Sequence, residues 1–149
     1  MASELLNQLN EEIKVAMKAK ESAKVMALRT LLAVVKDQTV NAGVEPTDEI
    51  FVTVVNKAIK QRQDAIDQFK AAGRDDLVAL EQAQIDLYRA YQPKQLTREE
   101  IEAIVKQAIA ESGATTKKEM GKVMGLVVPK TKGMADGKLV NQVVQALLA

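Results

Sequence analysis

The apolar residues of this chain recur at three- and four-residue spacing from end to end and nowhere alternate, a pattern that amphipathic helices can bury and strands cannot. Leu5, Leu6, Leu9, Ile13, Ala16 and Met17 form one such stripe, and Val25, Leu28, Leu31, Leu32 and Val35 the next. A third runs through Ile50, Val54, Val55, Ile59, Ile66 and Phe69, and a fourth through Leu77, Leu80, Ala83, Leu87, Tyr88 and Tyr91. Three more follow, led by Ile101, Met120 and Leu139. Seven Gly and three Pro in 149 residues leave few places to stop a helix. Ser3 and Ser22 are expected to cap the first two helices, the second ending near Gly43. Thr47, followed by Asp48 and Glu49, opens a third of about 25 residues, ~37 Å long. Asp75 caps a fourth, which Pro93 closes. Thr97 and Glu100 form a capping box, and Thr116 with Glu119 forms a second whose helix must stop before Pro129. Asp136 caps the last helix.

The predicted fold is therefore all-α. An N-terminal four-helix unit spans 1–92, and a smaller three-helix unit spans 97–149, close to the lower size limit for folding alone. Two Phe, two Tyr and no Trp require a mainly aliphatic core. With neither Cys nor His, disulfides, Cys/His zinc sites, thiol nucleophiles and imidazole acid–base chemistry are excluded, and no metal or cofactor is expected. No apolar run approaches the ~18–20 residues of a membrane span. The acidic, amphipathic beginning is unlike a secretory or transit leader, so a cytoplasmic protein with no membrane partner is expected.

The carboxylate pairs Asp48-Glu49, Asp75-Asp76 and Glu99-Glu100 each fall in a predicted first helical turn, where the helix dipole accounts for them. No catalytic residue is assigned. Lys57-Ala58-Ile59-Lys60-Gln61-Arg62 spreads its charges around a helix and reads as a solvated surface. Tyr88 and Tyr91 lie on an apolar stripe and read as core.

Charge is uneven. The net charge is +1, yet residues 93–149 hold nine basic and six acidic side chains, and between Lys117 and Lys138 six lysines face only Glu119 and Asp136. Within that segment, Pro129-Lys130-Thr131-Lys132-Gly133-Met134-Ala135-Asp136-Gly137-Lys138 interrupts the helical pattern. Its glycines allow close backbone approach, and a helix begins after it, which suits an anion or an RNA phosphate. A plain helix–turn–helix uses the same residues. It is not a phosphate-binding loop, since no G-x-x-x-x-G-K-[ST] is present.

Several blocks resemble the GatB/YqeY family, specifically its stand-alone YqeY-like members: Lys18-Ala19-Lys20, Leu28-Arg29, Lys60-Gln61-Arg62, Ala72-Gly73-Arg74, and Pro93 with Gln95 and Leu96. The most specific are Met120-Gly121-Lys122-Val123-Met124, Lys132-Gly133, and Ala135-Asp136-Gly137-Lys138-Leu139-Val140-Asn141. The resemblance implies a helical protein related to the tail of the B subunit of the tRNA-dependent amidotransferase, a carbon–nitrogen ligase with glutamine as amide donor. It further implies an accessory role, not catalytic alone, with tRNA and amidotransferase subunits as partners. Lys117, Lys118, Lys122, Lys130, Lys132 and Lys138 are the expected RNA contacts. Gly121, Pro129, Gly133, Ala135, Asp136, Gly137, Val140 and Asn141 are the expected structural motif. Met134 departs from the family, which carries a basic residue there. A helical adaptor for another protein is the alternative.

Overall fold

The computed structural model describes residues 3–148, which form seven α-helices and no strand. The first unit ends at Gln92 and contains α1 (Glu4–Lys18), α2 (Ser22–Gln38), α3 (Asp48–Ala71) and α4 (Asp75–Arg89). The second begins at Pro93 and contains α5 (Arg98–Ser112), α6 (Met120–Thr131) and α7 (Gly137–Leu147).

The hairpins α1–α2 and α3–α4 close with the same turn. After α3, Gly73 adopts a left-handed φ of 70°, its N–H donates to the Lys70 carbonyl, and the Arg74 N–H donates to Phe69. That double bond pattern satisfies the last carbonyls of the helix. After α1, Lys20 takes the left-handed position (φ 59°), with Lys20 donating to Met17 and Glu21 to Ala16. Arg74 and Glu21 then serve directly as the N-caps of α4 and α2, neither with a side-chain capping bond. This corrects the caps expected at Ser22 and Asp75. The turn is so short that both residues are already helical.

Ser3 does cap α1, accepting from the Leu6 N–H, and its hydroxyl donates to the Asp48 carboxylate. Asp48 also accepts from the Leu5 N–H at 3.2 Å, so the start of α3 helps cap α1. α2 stops at Gln38, short of Gly43, because the Thr39 hydroxyl donates to the Val35 carbonyl at 2.7 Å and its N–H turns to Lys36. Leu9, Leu28, Leu31, Val55 and Ile85 are central to the first core, joined by Phe51, Tyr88 and Tyr91. Phe51 and Tyr91 meet with ring centroids 5.8 Å apart. The second core is wholly aliphatic, built on Ile101, Val105, Val123, Val127, Val140, Val143, Val144 and Leu148.

Candidate nucleic-acid interface

In the second unit, Thr97 accepts from the Glu100 N–H and Glu100 accepts from the Thr97 N–H, completing the capping box of α5. Those bonds from Thr97 hold the Glu100 carboxyl below its ordinary 4.5. The second box does not form. Residues Lys117–Glu119 make a single 3₁₀ turn, in which the Glu119 N–H donates to the Thr116 carbonyl at 3.0 Å. That is the donor a Thr116 cap would need, and Glu119 instead accepts from the N–H and hydroxyl of Thr115.

α6 therefore starts, like α2, from a Glu N-cap that makes no capping bond and with no acid in its first turn, whereas α1, α3, α4 and α5 each have one there. Lys117, Lys118 and Lys122 surround this start, all exposed. Cations at the positive end of a helix dipole oppose it, so helix stability does not explain them. Gly121 and Gly125 stand one turn apart on α6, both exposed, and a Cβ at either would meet nothing within 4 Å. Packing does not require these glycines, and they leave the α6 backbone bare on an exposed side.

α6 does not stop before Pro129. Pro129 lies inside the helix, which continues to Thr131. Proline already has helical φ and here forfeits one bond, to the carbonyl of exposed Gly125, close to the end of the helix. The stop comes at Lys132 and Gly133, where Gly133 takes a φ of 77°. Lys130 and Lys132 are thus near the negative end of α6, where the dipole favours them. Lys132 and Gly133 also have partners within the chain.

The turn after α6 is held by its own unit. The Leu96 N–H donates to the Met134 carbonyl at 2.7 Å, and the Gln95 amide donates to the Gly133 carbonyl at 3.2 Å. Asp136 accepts from the Lys138 N–H at 3.1 Å and caps α7, whose first residue is Gly137. Its carboxylate occupies the place a phosphate would take at that helix start. Val140 is buried, Ala135 is half-buried, and Asn141 is exposed, accepting from the Gln145 amide at 2.8 Å. The turn is structural, and exposed lysines flank it. Lys117, Lys118, Lys122, Lys130 and Lys138 make no ion pair among the described residues.

The first unit holds a cluster that the pattern of charges concealed. Lys57, Lys60 and Gln61 are exposed as expected, but Arg62 is turned inward, its side chain 17% exposed. Its guanidinium stacks on the Tyr88 ring, 4.8 Å from the centroid. Nε donates to Gln84 at 2.7 Å, Nη1 to the Ala58 carbonyl at 3.0 Å and Nη2 to the Tyr88 hydroxyl at 3.4 Å. That hydroxyl donates in turn to the Ala27 carbonyl on α2 at 2.7 Å. Burial raises the Tyr88 pKa, with the Arg62 charge opposing. The aromatic at 88, 26 residues on, is the only sequence sign that Arg62 differs from its neighbours.

A family model described as Yqey-like protein matches residues 6–148. A Pyrenophora tritici-repentis protein named "Altered inheritance of mitochondria protein 41, mitochondrial" is 31% identical over 147 residues, covering 97% of this chain and 81% of its own length. Proteins of the same name from Eremothecium gossypii and Saccharomyces cerevisiae are 36% identical over 90 residues and 37% over 84. Those matches cover 60% and 56% of this chain, but only 49% and 45% of the two relatives. The names overturn the cytoplasmic expectation, since all three relatives are called mitochondrial. A helical chain with no helix long and apolar enough to span a membrane, among the described residues, fits either compartment. Its composition therefore does not report location.

Proposed function

The chain belongs to the YqeY-like family, and from that premise we propose that it is an RNA-binding accessory protein whose ligand is tRNA, gripped by the lysines around α6. The observation that carries this reading is the start of α6. Three exposed lysines flank it, Lys117 and Lys118 in the turn before the helix and Lys122 in its first turn, against the single acid Glu119 at the N-cap and beside glycines that packing does not need. Unpaired surface cations attract polyanions by releasing their counterions, and bare backbone lets a phosphate strand come close. Lys130, in the last turn of α6, and Lys132 and Lys138 past it extend the same charge to the other end of that helix, about 18 Å away at 1.5 Å per residue. Asp136 and the internally held turn direct contact to the lysines instead of to the loop backbone.

The test is a titration of the full chain with tRNA at low salt. Binding should weaken with salt by about 0.9 or less in log–log slope per phosphate neutralised. Lys117→Glu with Lys118→Glu, and separately Lys130→Glu with Lys132→Glu, should each reduce affinity strongly. Absence of binding at low salt, or unchanged affinity in both charge-reversed proteins, refutes the proposal. Within it the role is non-catalytic, in support of an amidotransferase-type enzyme, and turnover of mischarged tRNA and glutamine by the purified chain alone would contradict that.

A helical adaptor is the second reading. Met17 and Met26, the latter 72% exposed, border a cavity of about 590 Å³ beside the α1–α2 turn. Flexible, exposed methionines suit a protein partner. An amidotransferase subunit that co-purifies stoichiometrically with this chain, and is released by Met26→Glu, would favour this reading over the first.

A further inference from the structure

Between α2 and α3 lies a groove of about 470 Å³. Its floor is apolar, made by Leu31 and Val34 from α2 and by Val54 and Ala58 from α3. Val34 is left 42% exposed there. Arg62 and Tyr88 line it, as does Lys57, and no carboxylate is among its lining residues. A concave apolar space of this volume with a few fixed polar groups has the character of a small-molecule site.

Arg62 is the informative group. Every other lysine and arginine among the described residues, Lys24 excepted, is exposed. A guanidinium has five N–H donors, and three are used, one each on Nε, Nη1 and Nη2. One N–H on each terminal nitrogen is left over. The nearby carboxylate, Glu81, comes closest at Nε, at 3.9 Å, beyond hydrogen-bond reach. The charge is thus largely withdrawn from water with its counter-ion at the long end of ion-pair distance, although buried charges are ordinarily closely paired. Gln84, the Ala58 carbonyl and the Tyr88 ring hold it rigid, so an incoming anion would meet a preorganised donor pair.

A latch joining α2, α3 and α4 accounts for the bonds to Ala27, Ala58 and Gln84. It does not account for the spare donors, the second cation at Lys57, or the open apolar floor. We propose that this groove binds a small organic anion, its carboxylate or phosphate on the Nη1 and Nη2 donors of Arg62 and its apolar body along Leu31, Val34, Val54 and Ala58. Lys57 adds a second charge at the rim. The site is in the first unit and does not depend on the RNA reading.

The test is an amide-resolved NMR titration of the full chain with 4-phenylbutanoate, phenyl phosphate and the neutral 4-phenylbutanamide. One or both acids should give saturable shifts at Val34, Val54 and Ala58, and whichever binds tighter identifies the head group. The amide should bind about tenfold or more weakly, for want of a charge-assisted contact. Val34→Trp fills the groove from an exposed position without touching the bonds of Arg62, and should abolish the shifts while the fold persists. Lys57→Gln should weaken binding several-fold. No saturable shift with either acid at millimolar concentration, equal binding of the amide, or unchanged binding to Val34→Trp would each overturn the proposal.

Discussion

Lys20 has the backbone least suited to its side chain. Its φ of 59° is left-handed, where a Cβ crowds the following carbonyl, and Gly73 fills the equivalent place in the other hairpin without that penalty. Lys20→Gly should therefore stabilise the chain by about 1 kcal/mol in urea denaturation, net of the freedom glycine adds to the unfolded state. Tyr91 gives a pH prediction. Burial, aided by the negative Glu12, lifts its pKa from 10.0 to about 12. Between those values the folded protein keeps a proton that the unfolded chain has released. Stability from this group is thus complete below pH 10 and is lost as pH rises through 12. Tyr91→Phe keeps the ring against Phe51 and removes the titration, so its stability should fall less steeply from pH 10 to 12. An identical slope in both proteins would show that Tyr91 does not titrate as described. The sequence placed Tyr88 and Tyr91 correctly in the core, because an i, i+3 pair on an apolar stripe has one economical location. It misplaced Arg62, whose inward turn depends on a partner on another helix, and spacing along α3 carries no record of that.

Helix existence was legible in the spacing of apolar residues, and most helix starts were legible in Ser3, Thr47, Thr97 and Asp136. The misses at the ends of α6 have separate local causes, as do those at Ser22 and Asp75, where a short turn moves the cap back by one residue. At Thr116 the 3₁₀ turn takes the Glu119 N–H and the capping box cannot form. At Pro129 a helix tolerates the missing donor because so little of it remains. The six lysines could be read as exposed, but the lack of an acid in the first turn of α6, after the Glu119 N-cap, emerged only once that start was located. This element carries a prediction that separates folding from function. Gly125 is inside α6, exposed and free of contacts a Cβ would disturb. Gly125→Ala should then stabilise the chain by about 1 kcal/mol, the propensity difference in a helix interior. If bare backbone is part of the RNA surface, the same substitution should weaken tRNA binding. Stabilisation with unchanged affinity would remove the glycines from the interface and leave the lysines alone in it.

Across the whole molecule, aromatic residues are segregated. Phe51, Phe69, Tyr88 and Tyr91 all precede Pro93, and the second unit has none. Each hydrophobic core is built from residues of its own unit, and the second is small and aliphatic. A core of that size is marginal, since a short chain buries a smaller fraction of its surface. Tyrosine fluorescence therefore reports the first unit only, whereas the far-ultraviolet helical signal reports both. Val143 is fully buried in the second core. Val143→Ala removes two methyl groups and leaves a cavity, at a cost of about 2 kcal/mol. In urea, part of the helical signal should be lost at lower denaturant in this variant, while the tyrosine midpoint stays where it is in the parent chain. A joint shift of both signals would mean that the two units unfold as one. In that case, variants of the α6 lysines would need a tyrosine-based stability check before any loss of tRNA affinity could be assigned to contact.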